Sequence, residues 1–441
     1  MNLSVTEEAR RTPTRGRPAP ARGRPYNRHV DRALIYDWNQ EAPSPRPPAI
    51  VLNDETLRDG LQSPSVRAPS IDEKLRILTL LDRIGIDTVD IGLPGAGPHV
   101  VAHVERLARE IAASRLRIRP NCAARTVIAD IEPIVDIVQR TGVPIECCCF
   151  IGSSPIRRYA EDWTVDHLLR CSEEAIAFAV KEGLAVMYVT EDTTRSDPET
   201  LRRLYMAAIG AGAARLCIAD TVGHATPAGA RAVVRFTRQV IEESGADVGI
   251  DWHGHRDRDM GTINTIAALE AGASRLHGTI LGLGERVGNT PMDLLLVNLV
   301  LMGWIQRDLT HLDDLVQAVS EATGEPIPYN YPVFGRDAFR TATGVHAAAV
   351  VKAFQKNDPD LADTVYSGVP ARLVGRRQQI EIGPMSGKSN VVFWLEHHGI
   401  DADVPLVERV FRRAKASSTV LTELEVLREV EAARETTRLD T

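Results

Sequence analysis

The chain has 441 residues, of which 44% are hydrophobic and 25% charged, and its formal net charge is −7. This length suits two or three ordinary domains or one large barrel with an appendage, and the composition is ordinary for a soluble globular protein. The negative charge gives no reason to expect nucleic acid or an anionic membrane as a partner, and no apolar run is long enough to span a membrane.

Residues 1–48 form a leader rich in proline and arginine that can bury almost no apolar surface, so we predict that it is disordered. Tyr36 and Trp38, near its end, are candidates for docking onto the folded part. An arginine-rich leader can be a transit peptide, but Glu7, Glu8 and several prolines weaken that interpretation.

From residue 49 onward, short β-branched runs alternate with amphipathic helical stretches, which is the pattern of a parallel α/β sheet. The eight strand candidates are residues 50–53, 88–93, 117–122, 145–151, 185–190, 215–219, 248–253 and 276–281. Ser70 and Glu73 have the spacing of a capping box, and Gly85 follows as a helix stop. Eight β/α units predict a (β/α)8 TIM barrel over residues 49–305. A doubly wound open sheet is disfavoured because no glycine-rich phosphate fingerprint follows the first strand.

At least five of the six cysteines lie in apolar runs typical of buried strands, and no C-x-x-C pair offers the spacing of zinc ligands. Three of them are consecutive, so on a strand they alternate faces and cannot staple a loop-rich secreted fold. We therefore expect reduced, buried thiols in a cytoplasmic protein.

Beyond the eighth strand candidate, Gly282, Gly284 and Gly288 form a glycine-rich segment, which by itself is weak evidence for any function. A helix is predicted from Pro291 to about Trp304. Residues 306–441 then have a helical pattern with proline-rich joints, and they predict a smaller, mainly helical C-terminal module.

Polar residues follow the predicted strands, at the end of a barrel where active sites form. They are Arg58, Asp59 and Gln62 after the first strand, Asp90 in the last part of the second, Arg157 and Arg158 after the fourth, Glu191 after the fifth, Thr221 after the sixth, and His253 and His255 at the end of the seventh. Each one alone could be an ordinary loop residue. Their convergence at one rim predicts a functional site.

His253 and His255 stand two positions apart, so on a strand both rings reach the same face. They are either unrelated surface histidines or a pair of metal ligands, and their place at a strand end favours ligands. Asp59 is the candidate third ligand, because the neighbouring Arg58 cannot bind a metal but could hold an oxyanion. The alternative for Asp59 is a turn residue before Gly60. A carboxylate with two imidazoles suits a divalent metal such as Mg²⁺, Mn²⁺ or Zn²⁺.

The same residues carry a resemblance. The segments DETLRDGLQ (54–62), HGH (253–255), DTVG (220–223) and GLGERVGN (282–289) together resemble the DRE-TIM metallolyase family. They are most similar to its acyl-CoA-condensing members, the 2-isopropylmalate and homocitrate synthases. The resemblance covers residues 53–298 and continues weakly through TGVH (343–346) and IEIGPMSGKSN (380–390). It implies condensation of acetyl-CoA with a 2-oxoacid.

The resemblance also implies a role for individual residues. Asp59, His253 and His255 would bind the metal, with Asn289 close to or in its shell. Arg58 would stabilise an enolate or alkoxide oxygen. In the family a glutamate orients this arginine; Asp90 stands there and is one methylene shorter, so the contact could be direct, water-bridged or lost.

For the substrates, the resemblance implies that Thr221 holds the carboxylate of the 2-oxoacid, with Arg157 and Gln62 as further substrate-binding residues. The glycines Gly282, Gly284 and Gly288 would lie against acetyl-CoA. Glu191 would work with His346 of the C-terminal module, which in these enzymes reaches the barrel of the partner subunit. The resemblance thus implies a homodimer with lid and dimerisation subdomains over residues 306–441.

The sequence departs from the family in several places. Arg256 replaces a small amide after the histidine pair, and Arg157 replaces a histidine common in isopropylmalate synthases. Residues 187–189 lack the R-x-S pattern of homocitrate synthases, which makes that specificity, like that of citramalate synthases, an alternative only. Arg157, Arg158, Val189 and Gly97 are expected at the variable end of the pocket. No leucine-regulatory domain is expected.

Two other functions stay open. The segment RDGLQ also resembles 3-hydroxy-3-methylglutaryl-CoA lyases, but those enzymes place a cysteine in the glycine-rich loop, and this chain has none after Cys217. A non-catalytic barrel that binds a metal or an acyl-CoA is the second alternative, favoured by the departures at Asp90 and Arg256.

Overall fold

The computed structural model describes residues 34–41, 47 and 49–439. The predicted disordered leader lies mostly outside these residues. Tyr36 and Trp38 are described, and they are 68% and 76% exposed. Their rings contact each other at a centroid distance of 5.0 Å. The suggestion that this pair docks onto the folded part is therefore wrong.

Eight parallel strands close in sequence order into a barrel, with the first strand paired to the eighth, which confirms the predicted TIM barrel. At this closing seam, Val51 lies opposite Arg275 and Asp54 opposite Gly278. The strands are β1 (Val51–Asp54), β2 (Thr88–Asp90), β3 (Arg119–Arg125), β4 (Glu146–Gly152), β5 (Val186–Glu191), β6 (Arg215–Asp220), β7 (Gly249–Gly254) and β8 (Arg275–Gly278).

Strands β2 and β8 end about three residues earlier than the sequence predicts. The apolar run continues past each strand because the following loop residues are themselves buried: Ile91, Ile280 and Leu281 are at most 6% exposed. Burial of a loop and burial of a strand leave the same apolar pattern in a sequence. The early end of β8 leaves room for a turn at Ile280–Gly282, in which Leu281 has a φ of 60°.

Helices alternate with the strands and surround the barrel. They are α1 (Ile71–Ile84), α2 (Pro98–Ala113), α3 (Ile128–Thr141), α4 (Pro155–Glu161), α5 (Val165–Lys181), α6 (Pro198–Gly210), α7 (Pro227–Ser244), α8 (Gly261–Ala271) and α9 (Met292–Leu301). The capping box predicted for α1 is present, since Ser70 and Glu73 each accept from the other's backbone N–H. Gly85 ends this helix in the left-handed conformation, with a φ of 85°.

The C-terminal region is mainly helical, as predicted. It contains α10 (Leu312–Thr323), α11 (Gly344–Gln355), α12 (Pro359–Thr364), α13 (Lys388–His397), α14 (Val404–Lys415) and α15 (Glu423–Leu439), with a short parallel pair β9 (Arg340–Thr341) and β10 (Gln379–Ile380). None of the described helices is long and apolar enough to cross a membrane.

The cores of the barrel and of the last helices are separate. Leu312, Leu315 and Val319 of α10 belong to the core of the barrel, which therefore extends beyond residue 305. Helices α13 to α15 bury their own cluster, which includes Val391 and Val410. The division of the chain into domains at residue 305 stays a prediction.

The cysteines support a test of the barrel in solution. All six are free; Cys171 on α5 is half-buried, and the other five are buried. Burial raises the pKa of the thiols of Cys148 and Cys217 well above the ordinary value, and the thiolate is the reactive form. We expect a thiol reagent such as DTNB to label Cys171 first in the native protein, and all six thiols only in denaturant. Cys171→Ser should abolish the fast phase; several fast thiols in the native protein would contradict the buried strands.

Candidate active site

A cavity of about 210 Å³ opens at the C-terminal ends of the barrel strands. Side chains from seven of the strands and the loops that follow them line it: Glu55, Arg58, Asp59, Gln62, Ala123, Cys148, Phe150, Met187, Val189, Glu191, Cys217, Ala219, Thr221, His253, His255, His277, Glu285 and Arg286. The part of its wall formed by β3 to β6 is largely apolar, and the rest is polar and charged. The polar rim predicted from the sequence thus surrounds one cavity.

Asp59, His253 and His255 form a cluster that could hold a metal ion, because their ligand atoms all lie within 4.8 Å of one another. Asp59 begins a short 3-10 turn after β1, and both histidines come from the end of β7. The Nδ2 atom of Asn289 donates to Oδ2 of Asp59 at 2.7 Å. The structure therefore brings the four residues expected at a metal site to one place.

The donor atoms of this cluster fit a divalent cation. The Oδ1 atom of Asn289 and the Nδ1 atom of His255 are buried without a hydrogen-bond partner among the described residues, although buried polar atoms are normally paired. Burial, and next the neighbouring His253, lower the pKa of His255 to about 4. His255 is therefore neutral at pH 7, the form in which an imidazole binds a metal. One carboxylate with two imidazoles suits Mg²⁺, Mn²⁺ or Zn²⁺.

A second cluster at the cavity consists of Glu55, His253 and His277. Neither Glu55 nor His277 was among the site residues predicted from the sequence. His277 contacts Oε1 of Glu55 through Nδ1 and Oδ2 of Asp251 through Nε2, both at 2.9 Å. Burial opposes a charge on His277, but the two carboxylates outweigh it and raise the pKa to about 9. A protonated imidazole has no lone pair for a metal, so this cluster is a charge network. The signal in the sequence that could have indicated Glu55 and His277 is their position near the ends of strands.

Arg58 lies at the centre of three carboxylates. It donates from Nη1 to Asp59 at 2.6 Å and from Nε to Asp90 at 2.7 Å, and Nη2 lies 3.4 Å from Glu55. The contact with Asp90 is thus direct, despite the shorter side chain. Burial raises the pKa of Asp90 to about 6, with Arg58 acting in the opposite direction. The arrangement holds a fixed cation beside the candidate metal site.

Thr221, which follows β6, and Glu191, at the end of β5, also line the cavity. The Oγ1 atom of Thr221 accepts from the backbone N–H of Asp192 at 2.8 Å, so its own proton is left to donate to a bound anion. Burial raises the pKa of Glu191, while Arg157, whose Nε lies 3.4 Å away, lowers it. Gln62 is exposed at the mouth.

The two arginines expected at the variable end of the pocket contact acidic side chains. Arg157 contacts Glu161 at 2.5 Å as well as Glu191, and Arg158 contacts Asp197 at 3.2 Å. Neither arginine, nor Gly97, is among the described residues that line the cavity, whereas Val189 is. Acidic neighbours engage both arginines, and the substrate-binding role expected of Arg157 stays a prediction.

The backbone conformation of the glycine-rich loop requires its glycines. Gly282, Gly284 and Gly288 have φ values of 62°, 147° and 94°. A Cβ atom on Gly288 would lie 1.7 Å from the carbonyl oxygen of Gly282. This folded loop carries Asn289 to Asp59. Arg256 donates to the carbonyl of Val287 at 2.9 Å, so its side chain lies on the loop.

His346 lies away from the cavity of its own chain. It is exposed on α11 and stacks on Tyr366, with ring centroids 4.3 Å apart. It is not among the described residues that line the cavity, so a single chain does not bring His346 and Glu191 together there.

Comparisons with known proteins place these residues in context. The HMGL-like family matches residues 49–322. The chain is 32% identical to a probable 2-isopropylmalate synthase of Methanopyrus kandleri, covering 84% of this chain and 70% of that protein. It is 33% identical to the homocitrate synthase AksA of the same organism, covering 84% of this chain and 88% of that protein. A putative (R)-citramalate synthase, CimA, of that organism is 32% identical, over 84% of this chain and 69% of that protein.

Solved structures share the fold. The HMG-CoA lyase of Bacillus subtilis superposes with a TM-score of 0.52 at 21% identity, covering 65% of this chain and 97% of that one. The lyase of Pseudomonas aeruginosa gives a TM-score of 0.52 at 18% identity, covering 62% and 93%. At these identities, the likeness concerns the barrel fold alone.

The glycine-rich loop gives a testable prediction. Gly288→Ala should destabilise the protein by more than about 3 kcal/mol and weaken Mn²⁺ binding at least about tenfold, because the added Cβ forces the loop away from Asp59. Gly142→Ala is the matched control: its φ is 70°, but a Cβ there meets nothing within 4 Å. It should cost about 1 kcal/mol from backbone strain and leave Mn²⁺ affinity unchanged. Thermal unfolding and calorimetry measure both; equal effects of the two variants would contradict the argument.

Proposed function

Because this chain belongs to the HMGL-like family and is an enzyme of the same condensing acyltransferase type as its curated relatives, we propose that it joins acetyl-CoA to a 2-oxoacid. The products are a 2-substituted malate and CoA. The observation that carries the proposal is the convergence of a ligand set for a divalent cation, a fixed Arg58 and an available Thr221 hydroxyl at one cavity. This combination binds and polarises an oxoacid.

Each residue has a chemical task. Thr221 donates to the carboxylate of the oxoacid, and Arg58 lies where negative charge collects on the oxygen of C2. A divalent cation held by Asp59, His253 and His255 supplies Lewis-acid polarisation of that carbonyl group. A base removes a proton from the methyl group of acetyl-CoA, and the methyl carbon forms a bond with C2. The oxygen of C2 takes a proton, and hydrolysis of the thioester then releases CoA.

The base is proposed to be His346 of a second subunit, assisted by Glu191. Burial raises the pKa of Glu191, which favours the protonated form of this carboxyl group and so its capacity to hold a proton. His346 is exposed in one chain, which is consistent with a homodimer that exchanges its C-terminal modules. The glycine-rich loop, with Gly282, Gly284 and Gly288, is proposed to lie against acetyl-CoA.

The side chain of the oxoacid is proposed to be apolar, as in the 2-isopropylmalate synthase reaction. The apolar wall includes Ala123, Cys148, Phe150, Met187 and Val189, none of which has a charged group to bind a second carboxylate. An isolated charge against such a wall would be costly. Citramalate synthase-like and homocitrate synthase-like reactions, the reverse lyase reaction and a non-catalytic binder are the alternatives.

The reaction is tested with the full chain, Mg²⁺ or Mn²⁺, acetyl-CoA and a panel of pyruvate, 2-oxobutanoate, 2-oxoisovalerate and 2-oxoglutarate, with free thiol as the readout. We expect thiol release with at least one of the first three and none with 2-oxoglutarate.

His253→Ala should lower Mn²⁺ affinity and turnover at least about 100-fold, whereas His224→Ala, an exposed rim histidine, should change neither. Cleavage of a 3-hydroxyacyl-CoA to acetyl-CoA and a 3-oxoacid, detected by chromatography and without release of free thiol, would favour the lyase. No thiol release with any oxoacid of the panel would favour a non-catalytic barrel that binds a metal or an acyl-CoA.

The exchange of modules is tested with mixed dimers. Glu191→Gln and His346→Ala should each lower turnover by about 100-fold, the range of a lost general acid or base. Co-expressed with two different tags, the two variants should form a mixed dimer with one intact site, which regains about half of the wild-type activity. If His346 acted in its own chain, both sites would carry a substitution, and the mixed dimer would stay inactive.

A further inference from the structure

The carboxylate of Glu55 lies between two imidazoles on the floor of the candidate metal site. Its Oε2 atom is 2.7 Å from Nδ1 of His253, and its Oε1 atom is 2.9 Å from Nδ1 of His277. Glu55 follows β1 directly, and its backbone N–H donates to the carbonyl of Gly278 on β8. Only 3% of the residue is exposed. The carboxylate is therefore held by the closing seam of the barrel.

These contacts fix the protons of His253. An ionised carboxylate only accepts hydrogen bonds, so the Nδ1 atom of His253 must carry the proton that Glu55 accepts. A neutral imidazole then has its lone pair on Nε2. This is the nitrogen left for a cation beside Asp59 and His255. Contacts of this kind orient histidine ligands in metal sites.

His277 holds Glu55 in place. Its second nitrogen contacts Asp251, which also accepts from Arg215 and Arg275. Because each ring nitrogen of His277 faces a carboxylate, both nitrogens donate a hydrogen bond, and neither has a lone pair left to bind a metal. The Glu55 carboxylate consequently cannot turn toward a cation without leaving the charged His277 without its partner.

We propose that Glu55 is a positioning residue of the metal site, which fixes the Nδ1-protonated form of His253 and directs Nε2 toward the cation. His277 and Asp251 anchor Glu55. The inference rests on the proposed function in one respect, namely that Asp59, His253 and His255 hold the cation. Glu55 itself is not a ligand in this arrangement.

The test measures Mn²⁺ binding to the metal-free full-length protein by calorimetry. Glu55→Gln should weaken Mn²⁺ affinity about 10- to 100-fold, because an amide cannot accept from both imidazoles through two oxygens. Asp54→Asn is the matched control. Asp54 is the neighbouring residue, is fully buried, and accepts from the backbone N–H and the hydroxyl of Thr56. Because these hydrogen bonds to Thr56 do not orient a candidate ligand, the substitution should change Mn²⁺ affinity by less than about twofold.

A second variant keeps the test decisive if Glu55→Gln does not fold. Glu55→Asp retains the charge but is one methylene too short to contact both imidazoles, so we expect about tenfold weaker binding. Thermal unfolding is measured for each variant. An unchanged Mn²⁺ affinity overturns the inference, even if the protein is less stable. Two Mn²⁺ ions per wild-type chain would also overturn it, since His277 would then be a ligand.

The result separates this inference from the proposed reaction. Weaker Mn²⁺ binding by Glu55→Gln, in a protein that releases no thiol with any oxoacid, supports the role of Glu55 and contradicts the condensation. Oxoacid-dependent thiol release, with equal Mn²⁺ affinity in wild type and Glu55→Gln, supports the condensation and contradicts the role of Glu55. A wild-type chain that binds no Mn²⁺ contradicts both.

Discussion

The cavity depends on a chain of buried contacts in which carboxylates and cations alternate. Asp90, Asp59 and Glu55 surround Arg58. Glu55 also contacts His277, whose other ring nitrogen contacts Asp251. Breaking a buried ion pair by removing one partner costs about 3–5 kcal/mol. Each member is therefore held by its neighbours on both sides, and the chain keeps its geometry as a unit.

Two histidines at the cavity, His277 and His255, differ in protonation. His277 takes the proton between two carboxylates, while burial and the neighbouring His253 keep His255 unprotonated near pH 7. The ionised Asp59 and the neutral His255 can bind a divalent cation without first losing a proton, and the charged Arg58 lies beside Asp59. The same network supplies a cation for a developing oxyanion, so binding and charge stabilisation have one structural origin.

Much of the fold could be predicted from local patterns. The alternation of apolar runs and amphipathic stretches predicted the closed barrel, and the capping box at Ser70 and the stop at Gly85 bound the first helix in the structure. Strand ends were less predictable where buried loops follow, as at Ile91 and Ile280. Polar residues after the strands predicted the rim of the cavity, because parallel strands all point their C-terminal ends the same way.

The sequence by itself determined which residue types stand at the rim: the histidine pair, Arg58 with Asp59, Thr221 and the glycines that the last loop requires. Only the tertiary structure decided their partners. Glu55 contacts histidines 198 and 222 residues away, across a seam that exists only once the barrel closes. Likewise, Arg157 turns to acidic neighbours and His346 stays exposed, since side-chain directions follow from packing and charge in three dimensions, which no local pattern records.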